Sequence, residues 1–391
     1  MNKLLLATTS ILILAPVSSA LAVGSTTFLT QFGTQTADIV QEQANFGQVG
    51  TAITPFTQLN GEGTGNNVVH IVQTNAAPDS GYNAATGSQI GSTNLANIYQ
   101  AGNHGSVTVN QLGTNNGDAI GLDHTVDQKV DTDRNVVLLY ENGITNGFSI
   151  SQEGGANNAV TVAQIGNGNA AKTTQNGYDL IIVIHQQGPS EGNYALATQL
   201  GGQNSLDVLQ DSAGAHHVTS NQDGTGNSAE VVQHGSGQFV FNTQSGGGTD
   251  SLGNQAWFTQ TGSGNTARNN QSGYGGQATF GQYGTGNEAT LIYQNGTGDV
   301  AVLMQYDDKN TVTLYQNGNA NNASSNQSGG YQLASLLQNG DGNRIVGMQQ
   351  GNGSQFGNSA IVMQGSLTVP SSNNVANYSQ SGSGHTLVIK Q

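Results

Sequence analysis

Cysteine is absent from this 391-residue chain, so disulfides and thiolate metal sites are excluded, and cysteine usage leaves the redox compartment open. Charge is scarce too. Asp, Glu, Lys and Arg make up 8% of residues, against roughly 25% in an ordinary globular domain. Disordered chains usually stay soluble through dense charge, so this polar composition is either low-complexity coil or an ordered array of amides. Lys and Arg number 8 against 23 Asp and Glu, a formal net charge of −15, and the basic residues are not clustered. Nucleic acid and anionic membranes both require clustered positive charge, and neither is expected as a partner. Hydrophobic residues reach only 35%, below the usual 45–50% or so. There is no P-loop and no G-G-x-G-x-D calcium repeat, and the many lone G-x-G matches read as turns.

The N-terminus carries an address. MNKLLLATTSILILAPVSSALA opens with Lys3, runs apolar from Leu4 through Pro16 and ends on Ala20-Leu21-Ala22. That is the pattern of a secretory signal peptide, residues 1–22, cut after Ala22. The apolar run is shorter than the roughly 20 residues a membrane span needs, and no later segment reaches that length, so no membrane insertion is expected after cleavage. Residues 23–57 are irregular and are expected to form a separate N-terminal segment.

What the chain has in quantity is glycine, 57 residues of it, and amides. Gln returns at 316, 327, 338 and 349 within a stretch holding few aliphatics. Aligned from Gln260, the chain reads QTGSGNTARNN, QSGYGGQATFG, QYGTGNEATLIY, QNGTGDVAVLM, QYDDKNTVTLY, QNGNANNASSN, QSGGYQLASLL, QNGDGNRIVGM. The unit is Q-x-G-x-x-N-x-A-x-x-x, with one twelve-residue member at Gln282. Upstream the same unit recurs with insertions, and at Glu141 the leading Gln is replaced.

Each position has a physical role. Asn94, Ala96, Ile98 and Gln100, or Asn310, Val312, Leu314 and Gln316, lie two apart and would share one face of a strand. The pairs Gly224/Gly226, Gly262/Gly264, Gly284/Gly286 and Gly340/Gly342 would supply positive φ for tight turns. A helix would carry several glycines per three turns at roughly 1 kcal/mol each. The expected fold is therefore all-β: a β-solenoid over residues 58–391, with coils of about 22 residues, two strand-turn units per coil, and about sixteen coils in amyloid-like cross-β stacking. Inward amides are costly alone, but in a column each donates to the next and accepts from the last.

The expected amide columns comprise Gln89, Gln100, Gln111, Gln152, Gln164, Gln199, Gln222, Gln233, Gln260, Gln271, Gln305, Gln316, Gln327, Gln338, Gln349 and Gln380. They also include Asn94, Asn169, Asn227, Asn265, Asn321 and Asn343. The turn positions are Gly91, Gly166, Gly224, Gly262, Gly284, Gly318, Gly340 and Gly382. Elsewhere Gln238, Asp299 and Gln332 replace Asn, and Leu206, Val240 and Val312 replace Ala.

At these residues the sequence resembles the curlin family, the subunits of bacterial curli fibres. The shared signature Q-x-G-x-x-N-x-A-x-x-x-Q stands intact at 89–100, 164–175, 222–233, 260–271 and 316–327. The resemblance implies a secreted subunit that polymerises on the cell surface into amyloid fibres of the biofilm matrix and supports adhesion. It implies as partners the chain itself, curli export and nucleation proteins, and host or surface ligands, with no cofactor. Residues 23–57 would then play the part of the family's export segment. Independently, a solenoid's outermost coils expose strand edges, monomeric solenoids protect them with atypical caps, and the final unit here runs in phase to Gln391. Head-to-tail contacts of that kind give open filaments.

Two rivals remain. A polysaccharide-acting β-helix enzyme would need converging charged groups, and the best candidates are Asp123, His124, Asp127, Asp131, Asp133 and Arg134. Asp131 and Asp133 would share a strand face and could hold Ca²⁺. The competing expectation is a charged, solvated insertion near 117–140 that interrupts the repeat. His216-His217 is expected as an exposed loop pair rather than a zinc site, Asp307-Asp308-Lys309 as a loop tip, and Tyr99, Phe280, Tyr293 and Tyr315 as cover for sheet faces or stacks between coils. The second rival, a monomeric solenoid adhesin, shares fold and period with the fibre subunit. An ice-binding solenoid would need a flat Thr-x-Thr array, which Thr108, Thr161, Thr290, Thr311 and Thr313 do not form. No catalytic residues are expected.

Overall fold

The computed structural model describes residues 26–27, 29–32, 35–42, 48–49, 55–60, 66–74, 82–116, 122–129, 132–188, 192–247, 253–352, 356–366 and 368–391. The proposed signal at 1–22 lies outside them. Every regular element among the described residues is a β-strand. The alternation anticipated from spacing is what makes them so. In Gln255–Ser263, Ala256, Phe258 and Gln260 are buried while Trp257 and Thr261 face out.

The strands form a parallel β-solenoid of about 14 turns with a spacing near 23 residues. Each coil places one strand in each of two facing sheets, and each strand pairs in register with the strand one coil on. Thus Gln255 lies on Gln277 and Gln260 on Gln282 in one sheet, Val312 on Ala334 and Gln316 on Gln338 in the other. The coils group into two compact units, Met1–Gly192 and Asn193–Gln391, built on the same plan. Between the sheets lies a thin core. Its inward positions are the repeat's alanine (Ala96, Ala256, Ala278, Ala301, Ala323) and, in many strands, one larger apolar residue such as Ile98, Phe258 or Leu303, all 0–1% exposed, with Thr173, Ser220, Asn242, Asn269 or Ser325 in its place elsewhere. Leu206, Val240 and Val312 fill the alanine position without leaving the interior.

Three expectations change. The turns number about 14 rather than sixteen, because insertions lengthen individual coils: Gln111 lies on Glu141, 30 residues later, and Gln349 on Gln380. The stack begins before residue 58. Leu29–Phe32 pairs with Phe56–Asn60, and Thr36–Glu42 pairs with Val68–Thr74, bringing Gln31 onto Gln58 and Gln41 onto Gln73. Separations of 27 and 32 residues had hidden that periodicity. The stretch 117–140 does not interrupt the repeat either. Thr125–Gln128 pairs with Leu95–Gln100 below and Gly147–Ala156 above, aligning Gln100, Gln128 and Gln152.

The twelve-residue unit is absorbed by a bulge. Between Leu291 and Tyr293 the pairing slips by one, Ile292 is pushed into solvent at 51% exposure, and Gln294 still meets Gln271 and Gln316. A single extra residue in one strand is what a β-bulge absorbs.

Candidate functional site: the amide columns

The repeat's conserved spacing becomes two columns of glutamine within each unit, one per sheet. In each column the side-chain Nε2 of one Gln donates to Oε1 of the Gln one coil later in the chain. In the first unit Gln58, Gln89 and Gln111 follow one another at 2.7 Å per step, and Gln73, Gln100, Gln128, Gln152 and Gln175 at 2.8–3.0 Å. In the second unit one column runs Gln210, Gln233, Gln260, Gln282, Gln305, Gln327, Gln349 and Gln380 at 2.7–3.0 Å. The other runs Gln199, Gln222, Gln244, Gln271, Gln294, Gln316, Gln338, Gln364 and Gln391 at 2.7–3.1 Å. The second Nε2 proton crosses the core: Gln327 donates to the Thr311 carbonyl and Gln349 to that of Leu333, both at 2.9 Å on the facing sheet. The glutamines therefore tie coil to coil and sheet to sheet.

Asparagines line the corners. Asn265 Oδ1 accepts the backbone N–H of Asn287, and Asn287 Oδ1 that of Asn310. Asn265 Nδ2 donates to the Thr261 carbonyl four residues back and to the Gly284 carbonyl one coil on. Asn94, Asn169, Asn227, Asn321 and Asn343 are likewise fully buried. So are Gln238 and Gln332, which hold the asparagine position.

Beside each column the chain turns on glycine. Gly91, Gly166, Gly224, Gly262, Gly284, Gly318, Gly340 and Gly382 have φ between +102° and +124°. At Gly262 a Cβ would run into the backbone carbonyl of Gly284 in the next coil. Glycine is required there for both conformation and approach.

Two acids stand in these neutral columns. Glu141 occupies a glutamine position and is fully buried; it accepts from Gln111 Nε2 at 2.7 Å through Oε2. Burial pushes its carboxyl up to about 8, the Gln111 bond partly opposing this. Asp299 occupies an asparagine position, 1% exposed, and accepts the Asn321 backbone N–H at 2.8 Å through Oδ1. Burial raises it to about 7, with the Asn321 bonds lowering it and Asp341 adding a small upward push.

Among the described residues the enzyme candidates do not gather into one cluster, although Arg134 approaches Asp133 at 3.9 Å. Asp131 lies outside the described residues. Asp133 pairs with His104 at 3.0 Å, and Asp127 sits across from Lys129, which bonds Glu153 at 2.6 Å. Asp123 and Arg134 are exposed. His124 instead enters the core, edge-on to Phe148. No cluster of three or more His, Asp or Glu suited to a metal occurs among the described residues. Residues 188–192 (GPSEG) spell G-x-S-x-G, but an elbow needs a following helix, and the next described element is the strand Tyr194–Gly202; residues 189–191 lie outside the description.

The histidine pair departs from expectation. His216 is buried at an asparagine position, its Nε2 bonded to the Asp211 carbonyl and its N–H to Asn193 Oδ1. Desolvation lowers its pKa. His217 faces outward, stacked on Tyr194 and Phe239. One extra residue between Gln210 and His216, taken up by an irregularity at Ser212/Gly214, concealed the asparagine position in the sequence. Asp307, Asp308 and Lys309 do form an exposed tip, where the two carboxylates accept backbone N–H groups of Gly329 and Thr285. Aromatics stack between coils as anticipated: Tyr283 on Tyr306, Tyr293 on Tyr315, and inside, Phe258 on Phe280.

Compared with protein-family models and with curated proteins, the chain matches none.

Proposed function

We propose that this chain is a secreted structural subunit of curlin type that adds coil upon coil, copy upon copy, into an extracellular fibre. One observation carries the reading. Within each unit coil after coil offers its successor the same kind of groups, with a few substitutions such as Glu141: a Gln Nε2 donor in each sheet, a corner acceptor that is usually Asn, and parallel strand backbone in register. A surface that repeats by translation is complementary to itself, and such heterologous contacts extend as open filaments rather than closing. The apparent signal at residues 1–22 supports export, and the spacing resemblance to curlins supports a biofilm and adhesion role, with export and nucleation proteins as further partners. The working groups are the columns themselves, with no catalytic step and no cofactor.

The test uses the chain without its first 22 residues, kept quiescent near neutral pH. Fibres with a meridional spacing near ~4.7 Å and an equatorial one near ~10 Å, together with growth seeded by preformed fibre, are the expected result. A folded monomer that stays monomeric at high concentration and ignores seeds overturns the reading.

A further inference from the structure

Within its described steps, the first unit has one gap in its glutamine columns. Gln111 donates to Glu141 Oε2, and Gln164 donates onward to Gln186 at 2.8 Å. Between them, Glu141 Oε1 and Gln164 Oε1 are both buried and both lack a partner, although Glu141 and Gln164 are register partners in adjacent strands. Two acceptors face one step of a ladder that elsewhere places a donor there. The asparagine corner repeats the situation. Asn321 and Asn343 donate Nδ2 to the carbonyls of Asn317 and Asn339, four residues back, whereas Asp299 presents Oδ2, buried and without a partner.

We propose that Glu141 and Asp299 are built into the columns as neutral carboxylic acids, Glu141 donating its proton to Gln164 Oε1 and Asp299 to the corner carbonyl of Asn295, so that these two coils are fastened in acid and loosen in alkali. One proton at each position supplies the donor the amide would have given. It satisfies three oxygens that are otherwise orphaned, which fits the cost of a buried unpaired acceptor and of a buried charge.

Among the described residues the surroundings contain nothing to hold either anion. The strands flanking Glu141, Ser106–Thr114 and Ala159–Asn167, carry no ionisable residue, and its own strand carries only outward Tyr140. On the facing sheet Asp127 and Glu153 point outward with Lys129, and His124 points inward. Around Asp299, Glu288 is paired outward with Arg268 at 2.9 Å, Tyr283 and Tyr306 lie on the outer face, Asp307, Asp308 and Lys309 form the exposed tip, and Asp341 is a further anion. Among the described residues no Lys or Arg reaches into either column. The raised pKa values agree with this environment. The device belongs to the fold of the coils and stands independently of polymerisation.

The sign follows from which state binds the proton. Above the ordinary carboxyl range the unfolded chain has lost it while the folded coil keeps it, so the contribution is complete below about pH 4.5 for Glu141 and 3.8 for Asp299 and drains away as pH climbs to about 8 for Glu141 and 7 for Asp299. Within that window the folding constant falls about tenfold per pH unit per acid. The experiment is urea unfolding of the full chain and of Glu141→Gln, Asp299→Asn and the double variant from about pH 3.5 to about pH 9, with infrared spectra of the protonated carboxyl stretch near neutrality. Glu141→Gln restores the column's own residue and should fold. The expected result is near-equality with the parent at the acid end, a gain of at least about 100-fold in folding constant for Glu141→Gln at the alkaline end, and a protonated-carboxyl band in the parent that the double variant lacks. Parallel pH curves for parent and variants, or no such band in the parent, overturn the proposal.

Discussion

Consider Gln327→Ala. In the folded chain Gln327 accepts from Gln305 Nε2, donates to Gln349 Oε1 and donates to the Thr311 carbonyl, each at 2.9 Å, with no exposed surface. Alanine removes all three bonds. Gln305 Nε2 keeps its bond to the Glu288 carbonyl at 2.9 Å, so it loses half its partners, while Gln349 Oε1 loses its column donor. At about 1 kcal/mol per net hydrogen bond, plus a cavity the rigid stack cannot close, the cost is roughly 3–5 kcal/mol. The adjacent Asn326 points outward, and Asn326→Ala should stay within about 0.5 kcal/mol. Urea unfolding of both variants measures the difference, and amide exchange should show the loss concentrated in neighbouring coils, because a repeat stack is held by nearest neighbours. A third variant, Gln327→Leu, refills the volume without the bonds and should recover only the cavity portion. Equal midpoints for Gln327→Ala and Asn326→Ala would refute the claim that the amide column holds the coils together.

Other consequences are open to measurement. Gly262→Ala places a Cβ at φ +114° against the Gly284 carbonyl and should cost at least about 2 kcal/mol in thermal unfolding; a neutral result would mean the coils can separate at that corner. Deleting Ile292 removes the bulged residue and should change stability by less than about 1 kcal/mol, since Gln294 already stands in register; loss of the fold would show that the bulge is needed. His216 has a pKa below the ordinary value of 6.5 through desolvation, so its contribution is present above that value and lost as pH falls beneath it; His216→Asn should flatten the acid limb of the stability curve, and an unchanged limb would contradict this. If fibres form, bringing the pH toward the isoelectric point of about 4.5 should shorten the lag by relieving self-repulsion, and a lag indifferent to pH and salt would count against it.

The strongest part of the sequence signal was the coincidence of Gln, Gly and Asn at fixed offsets, and every Gln and turn glycine assigned from that spacing occupies a column or a positive-φ corner. What spacing could not reveal is register across insertions. Gln58, Gln73 and Gln128 belong to the columns, yet residues added between strands move them off the eleven-residue grid without moving them in space. A loop can grow freely on the outer surface while the strand it feeds stays fixed by its neighbours. For the same reason His216 and His124 read as surface residues: their inward direction is set by pairing partners 20 or more residues away in the chain. The acids at 141 and 299 were visible as substitutions. Their environment became evident only once the missing donors could be located.

Because every described Gln–Gln column bond runs from Nε2 to the Oε1 one coil later, the amide dipoles along each column add rather than cancel. Each unit is consequently an electrical arrow, with its column N–H groups directed toward the later coils and its column oxygens toward the earlier ones, much as aligned peptides polarise a helix. Anions should gather at one pole and cations at the other. Any object assembled by continuing that arrow inherits a compass direction, even though no ionised side chain marks it.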